Sequence, residues 1–249
     1  MAIYYVGWDV GAWHCDKNIN SRDAIVIQEE NSNKVFLFYG NVKNFFSAKN
    51  LDDFFKVIFP DCIATGKNEY NIAVDAVLGW PEEFIALITG KKKKINTTEL
   101  PVSKSENHFL LRECERELYD EDIQPLSAVQ DMLGSQSTKV LFFLHKFDFC
   151  NQEGVWTKDN SKVYETYPTI IEKRLGNLPQ VTQFSQVTQF YHQVSRKSGI
   201  ISQVYKPQVE HQDFKDALLA LAAIKKGFQV PERSINKIEG WIWLPKIND

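Results

Sequence analysis

His211-Gln212-Asp213-Phe214-Lys215-Asp216-Ala217-Leu218-Leu219-Ala220-Leu221-Ala222-Ala223-Ile224-Lys225-Lys226-Gly227 reads as one helix. Phe214, Ala217, Leu218, Leu221 and Ala222 recur at helical spacing and form an apolar stripe, whose small residues let the helix approach a sheet closely. Lys225 and Lys226 in the last turn, with Gly227 beyond them, form a C-terminal stop. Asp213 and Asp216 are three apart and project from one face of the first turn. The helix dipole alone favours acids there, so the pair gains meaning only from what it meets.

Two other aspartates lie inside apolar runs. Ile3-Tyr4-Tyr5-Val6-Gly7-Trp8-Asp9-Val10-Gly11 is rich in β-branched and aromatic residues and ends at glycine, which predicts a buried strand with Asp9 near its C-terminal end. Asn71-Ile72-Ala73-Val74-Asp75-Ala76-Val77-Leu78-Gly79-Trp80-Pro81 repeats the pattern with Asp75. A carboxylate in such a strand is costly unless a metal ion or a partner charge compensates it. The plain alternative is an Asp that opens the following turn. In open α/β sheets ligands gather at the carboxyl ends of strands, where both acids would point.

Arg22 to Glu29 and Lys34 to Tyr39, separated by polar Glu30-Asn31-Ser32-Asn33, have the grammar of a hairpin. Leu51 to Phe59 reads as a short amphipathic helix ending at Pro60, Leu110 to Tyr119 as a helix, and Ser127 to Phe149 as one or two core helices. Lys162 to Pro168 is a short strand carrying Glu165, a fifth candidate carboxylate, and Ile170 to Leu175 a short helix. Val181-Thr182-Gln183-Phe184 recurs as Val187-Thr188-Gln189-Phe190, a period too short for a solenoid. The closing Ile238 to Pro245 reads as an edge strand or a packed tail, with base stacking as the other use of its tryptophans. No Pro/Gly-rich linker interrupts the chain, so 1–249 reads as a single α/β domain with a helical insertion at about 82–160.

A chain of 249 residues with 43% hydrophobic content can bury a full core. A net charge of −3 and a pI near 6.0 exclude the general attraction to polyanions of a basic nucleic-acid-binding domain. Contact with a nucleic acid or oligonucleotide must therefore be local, and Lys91, Lys92, Lys93 and Lys94 are either a phosphate arm or a solvated loop. Cys15, Cys62, Cys114 and Cys150 are widely spaced, without a C-x-x-C pair or a matching His cluster, so neither zinc nor a disulfide framework is suggested. With no leader-like pattern and no stretch approaching eighteen apolar residues, a cytoplasmic protein without membrane contact is expected.

Asp9, Asp75, Asp213 and Asp216 would converge if the two strands were neighbours and the helix crossed their ends. Without a cation such a cluster is unfavourable, because like charges raise one another's pKa. Hard divalent ions, Mg2+ or Mn2+, reverse that cost. Two of them roughly 4 Å apart can activate a water and stabilise the leaving oxygen of a phosphodiester.

Gly7-Trp8-Asp9, Val74-Asp75-Ala76-Val77-Leu78-Gly79-Trp80-Pro81, Arg112-x-x-Glu115-Arg116, Tyr164-Glu165-Thr166-Tyr167-Pro168 and Asp213-x-x-Asp216-Ala217-Leu218 run in order across most of the chain. The set resembles the ribonuclease H-like superfamily. It is most similar to the predicted nucleases catalogued as domain of unknown function 429, and its last helix resembles that of RuvC-type Holliday-junction resolvases. The resemblance implies a mixed five-stranded sheet with its first three strands antiparallel, helices on both faces, and a two-metal site. Asp9 would bridge the ions, Asp75 would be a second ligand, and Asp213 and Asp216 would complete the shells. Glu165 matches a family position without an assigned role, Glu115 stands where Asp is expected, and His211 is either a plain helix-start residue or one that orients the attacking water. The expected function is a metal-dependent nuclease, with a dimer if the role is resolvase-like. The alternatives are a non-catalytic binding or interaction module of the same fold and an actin-like phosphoryl transferase, which lacks its second half here.

Overall fold

The computed structural model describes residues 1–15, 22–91, 103–119, 123–131, 133–175, 187–189 and 212–247. The strands in chain order are β1 (Ile3–Asp9), β2 (Asp23–Glu29), β3 (Val35–Gly40), β4 (Glu69–Asp75), β5 (Cys150–Gln152), β6 (Val155–Lys158), β7 (Ser161–Glu165) and β8 (Val187–Gln189). The helices are α1 (Leu51–Ile58), α2 (Glu82–Thr89), α3 (Glu113–Leu118), α4 (Gly134–Lys146), α5 (Pro168–Leu175) and α6 (Gln212–Lys226). The strands form one mixed sheet in the order β5-β6-β7-β4-β1-β2-β3-β8. β1, β2 and β3 are antiparallel neighbours, the β2–β3 pair as the hairpin grammar predicts, while β4 lies parallel to β1 and β7 parallel to β4.

The sheet is larger than the five strands expected. β5 and β6 are a hairpin turned by Glu153 and Gly154, at φ 53° and 78°, and they extend the edge beyond β7. Two positive φ values are what a two-residue hairpin turn demands, but Glu-Gly is a weaker signal than Asn-Gly, and the polar Asn151, Gln152 and Lys158 hide the alternation. β8 pairs with β3 on the opposite edge. The stretch read as an insertion is partly integral, because Val140, Phe143 and Leu144 of α4 and the adjacent Phe147 belong to the main core.

Alternation along β1 divides the molecule. Tyr4, Val6 and Trp8 enter the larger core with α1 and α4, where Phe54, Phe55 and Ile58 also meet Tyr70, Ile72 and Val74 of β4. Tyr5, Gly7 and Asp9 take the other face by the period of two, and α6 covers that face across β1, β4 and β2. Ala217, one of the small residues predicted to permit close approach, does so, since a Cβ on Gly7 would stand 1.9 Å from its carbonyl oxygen, whereas the predicted Ala222 is half-buried outside the core clusters. Ala217 shares a buried cluster with Ala24, and Ala220, outside the predicted stripe, shares one with Ala73. α5 flanks α6 through Ile171, Leu219 and Ala223. α6 ends as read, with Gly227 at φ 84° donating to the Ala223 and Ile224 carbonyls, whereas His211 lies outside the described residues. Among the described residues no helix is long and apolar enough to cross a membrane.

Candidate functional site

Asp9 and Asp75 end the two central parallel strands and are cross-strand partners. Being in register they share a face, the one under α6, with their backbones about 4.8 Å apart. Both are half-buried. Burial, followed by the charges of Asp75, Asp213 and Asp216, holds the Asp9 carboxyl well above the usual carboxylate range. Burial, followed by Asp216 and Glu165, pushes Asp75 up to about 8. The four aspartates singled out from the sequence thus occupy one electrostatic neighbourhood. Burial raises Asp216 too.

Each acid of α6 has a local partner. Tyr39 Oη donates to Asp213 Oδ2 at 3.0 Å, and Gln212 Nε2 donates to both Asp216 oxygens at 2.9 and 3.0 Å. With the acids so engaged, no three His, Cys, Asp or Glu side chains among the described residues are grouped as ligands to one ion. The side chains gathered here offer carboxylate oxygens without imidazole or thiolate, the donor type that hard divalent cations prefer, and the charge of Asp75 adds to the burial that raises Asp9.

Arg22 is the residue that sequence reasoning missed. Its guanidinium stands 5.9 Å from the centre of the Tyr39 ring, and its buried Nε has no hydrogen-bond partner. The signal was present in the period of two, since Arg22 precedes by two the Ala24 that pairs with Asp9.

Glu165 is placed apart from an open ligand position. It is 2% exposed, and its oxygens accept from Arg112 Nη1 at 2.9 Å, from Arg112 Nη2 and from the Leu78 backbone N–H at 2.8 Å. Glu115 accepts from Arg112 Nε at 2.9 Å and from the Arg112 backbone N–H at 2.8 Å and pairs with Nη2 at an ion-pair distance of 2.8 Å, while Nη1 also donates to the Glu239 carbonyl at 2.9 Å. Every guanidinium nitrogen is thereby engaged. The Arg112-x-x-Glu115 motif is therefore a helix-start clamp on α3 that holds Glu165. Glu239 completes the frame, accepting from the backbone N–H groups of Glu82 and Glu113 at the starts of α2 and α3.

A second buried pair lies behind Asp9. Lys139 Nζ donates to Asp23 Oδ2 at 2.5 Å and to the carbonyls of Gly11 and Ala12 at 2.9 and 3.0 Å. Asp23 also accepts from Trp8 Nε1, from the Gly11 N–H and from the Val42 N–H. This network ties the backbone after β1 to α4. Nothing in the composition of α4 distinguishes Lys139 from a surface lysine, so only the fold reveals it.

The closing tail is packed, with Trp243 buried and its Nε1 donating to the Gly154 carbonyl at 2.9 Å, so that ring is not open to a base. Lys91 is exposed, while Lys92, Lys93 and Lys94 lie outside the described residues. Comparisons with protein-family models, curated proteins and solved structures give no match.

Two outcomes follow from this geometry. Asp75 binds its proton more tightly folded than unfolded, so in metal-free protein stability falls as pH rises from about 4, the unfolded carboxyl value, toward about 8. Asp75→Asn removes that loss and raises the metal-free melting temperature at pH 8 by several degrees, at about 2–4 °C per kcal/mol; an unchanged pH profile would contradict the burial of the Asp75 carboxyl beside Asp216 and Glu165. Glu165→Gln leaves Arg112 buried beside a neutral partner and lowers stability by about 3 kcal/mol in denaturant titrations. A loss below about 0.5 kcal/mol would show that Glu165 is not the pair's structural half.

Proposed function

We propose that the chain is a divalent-metal-dependent nuclease on a ribonuclease H-like sheet, hydrolysing phosphodiester bonds of DNA or RNA. The observation that supports this best is the in-register pair Asp9 and Asp75 at the carboxyl ends of two parallel strands, with Asp213 and Asp216 in the same electrostatic field. Among the alternatives, a single α/β sheet without a second similar half gives no support to an actin-like transferase among the described residues.

Mg2+ or Mn2+ held by Asp9, Asp75, Asp213 and Asp216 would supply an activated water and stabilise the leaving oxygen. The remaining roles belong to the chain itself. Lys139, by holding the Gly11 and Ala12 carbonyls, keeps the backbone after Asp9 in place. Tyr39 orients Asp213. Arg22 offers its unpartnered Nε–H, beside that pair, to a phosphate oxygen, the bond for which a planar guanidinium is best suited. Glu165 acts through position, fixing the Leu78 backbone just after Asp75.

The test is cleavage of single-stranded, duplex and branched oligonucleotides with Mg2+ or Mn2+. Wild type cleaves at least one class, Asp9→Asn is inactive, and Arg22→Ala is slower by about 10²-fold, the scale of one lost charge-stabilising donor. Failure to cut any of the three classes contradicts the nuclease reading and favours the non-catalytic module, whereas full activity in Arg22→Ala removes Arg22 alone from the mechanism.

A further inference from the structure

Asp9 and Asp75 also line a cavity of about 130 Å³ that reaches to the Arg112–Glu165 pair. Its volume sets what can enter. An apolar cavity of about 150 Å³ holds one benzene, whereas pockets for whole small molecules run from about 300 Å³ upward. The space thus suits a single six-membered ring. Val10, Val77, Leu133 and Ile242 supply apolar walls, and Tyr167 supplies an aromatic one. Leu126, 45% exposed, marks the mouth.

Apart from the carboxyls of Asp9 and Asp75, the charged side chains of the lining engage one another. Each guanidinium nitrogen of Arg112 donates a hydrogen bond, and Glu165 and Glu115 accept from it. Gln136 Oε1 differs, being buried on this cavity with no hydrogen-bond partner. A buried acceptor without a donor is costly, and a ligand that brings an N–H removes the cost. A pyrimidine base is a ring of this size that carries an N–H or amino group on its edge, and it is the one that the proposed nucleic-acid chemistry at the adjoining carboxylates would bring.

We propose that this cavity is a pyrimidine-binding pocket, in which the base lies between apolar walls and donates to Gln136 Oε1. Cytosine would use its exocyclic amino group, uracil or thymine the ring N–H. Purines, with a second fused ring, are excluded by volume. Under the nuclease reading, on which its meaning rests, the pocket seats an unstacked base or strand end beside the carboxylates, where stacking and edge hydrogen bonds read single-stranded nucleic acid. Binding itself requires neither metal nor cleavage.

The experiment is ligand-observed saturation-transfer NMR on the full chain without metal, using cytidine, uridine and adenosine. Cytidine or uridine binds, and adenosine binds at least about tenfold more weakly. Gln136→Leu lowers pyrimidine affinity about tenfold, and Leu126→Trp, at the exposed mouth, blocks it while the thermal melt is kept. Absence of pyrimidine binding, adenosine binding as tightly, or indifference to both substitutions overturns the pocket. Cleavage of oligonucleotides without pyrimidine binding removes the pocket alone, whereas pyrimidine binding without cleavage removes the nuclease reading alone.

Discussion

The close seat of α6 on β1 sets the geometry of everything at the carboxyl end of the sheet. At Gly7 the helix backbone comes so near that no side chain fits between, and Ala217 and Ala220 lie in the same buried clusters as Ala24 and Ala73 respectively. Interiors packed at crystal-like density transmit such a contact with little slack. Two residues beyond Gly7 on the same face is Asp9, and the first turn of α6 carries Asp213 and Asp216. The four acids therefore share one neighbourhood because a stripe of small residues lets the helix come down onto the strands.

That neighbourhood is framed by buried ion pairs whose cost must be met locally. Moving a lysine or arginine out of water carries a penalty of several kcal/mol, recovered only when the charge is paired and its remaining donors are satisfied. Lys139 meets this with Asp23 and two carbonyls, Arg112 with two glutamates and one carbonyl. The two pairs fasten the backbone following β1 and the backbone following β4. In contrast, Asp9 and Asp75 are held in register with no such pairing, and Arg22 keeps an unpartnered Nε at the same end of the sheet. Perturbed carboxyls left between buried charges that are satisfied mark a candidate functional site, and the proposed cation would compensate them.

Much of this was legible in the residues. The β2–β3 hairpin, the helical stripe of α6 and the placement of Asp9 and Asp75 at strand ends follow from turn chemistry and from periodicities of 2 and 3.6 that burial enforces strongly, whereas the antiparallel order of the first three strands was an expectation of the family resemblance alone. The edge hairpin β5–β6 was not, because its strands are short and polar and its turn uses Glu-Gly. Glu165 illustrates a different limit. An acid among apolar neighbours signals a compensated charge, but its compensator, Arg112, is 53 residues away, and no local pattern tells an arginine from a metal. Lys139 and Gln136 sit on one helix with no sequence mark, and they acquire meaning only where α4 meets the end of the sheet.

The central claim is that these four aspartates are a divalent-cation site, and calorimetric titration of Mn2+ into wild type and Asp9→Asn tests it most directly. The account predicts that wild type binds Mn2+ and that the substitution abolishes the heat while the protein stays folded, since one uncharged ligand removes both attraction and donor. If wild type takes up no metal, with or without a short DNA or RNA oligonucleotide present, the claim is contradicted and the acids are an uncompensated end of the sheet.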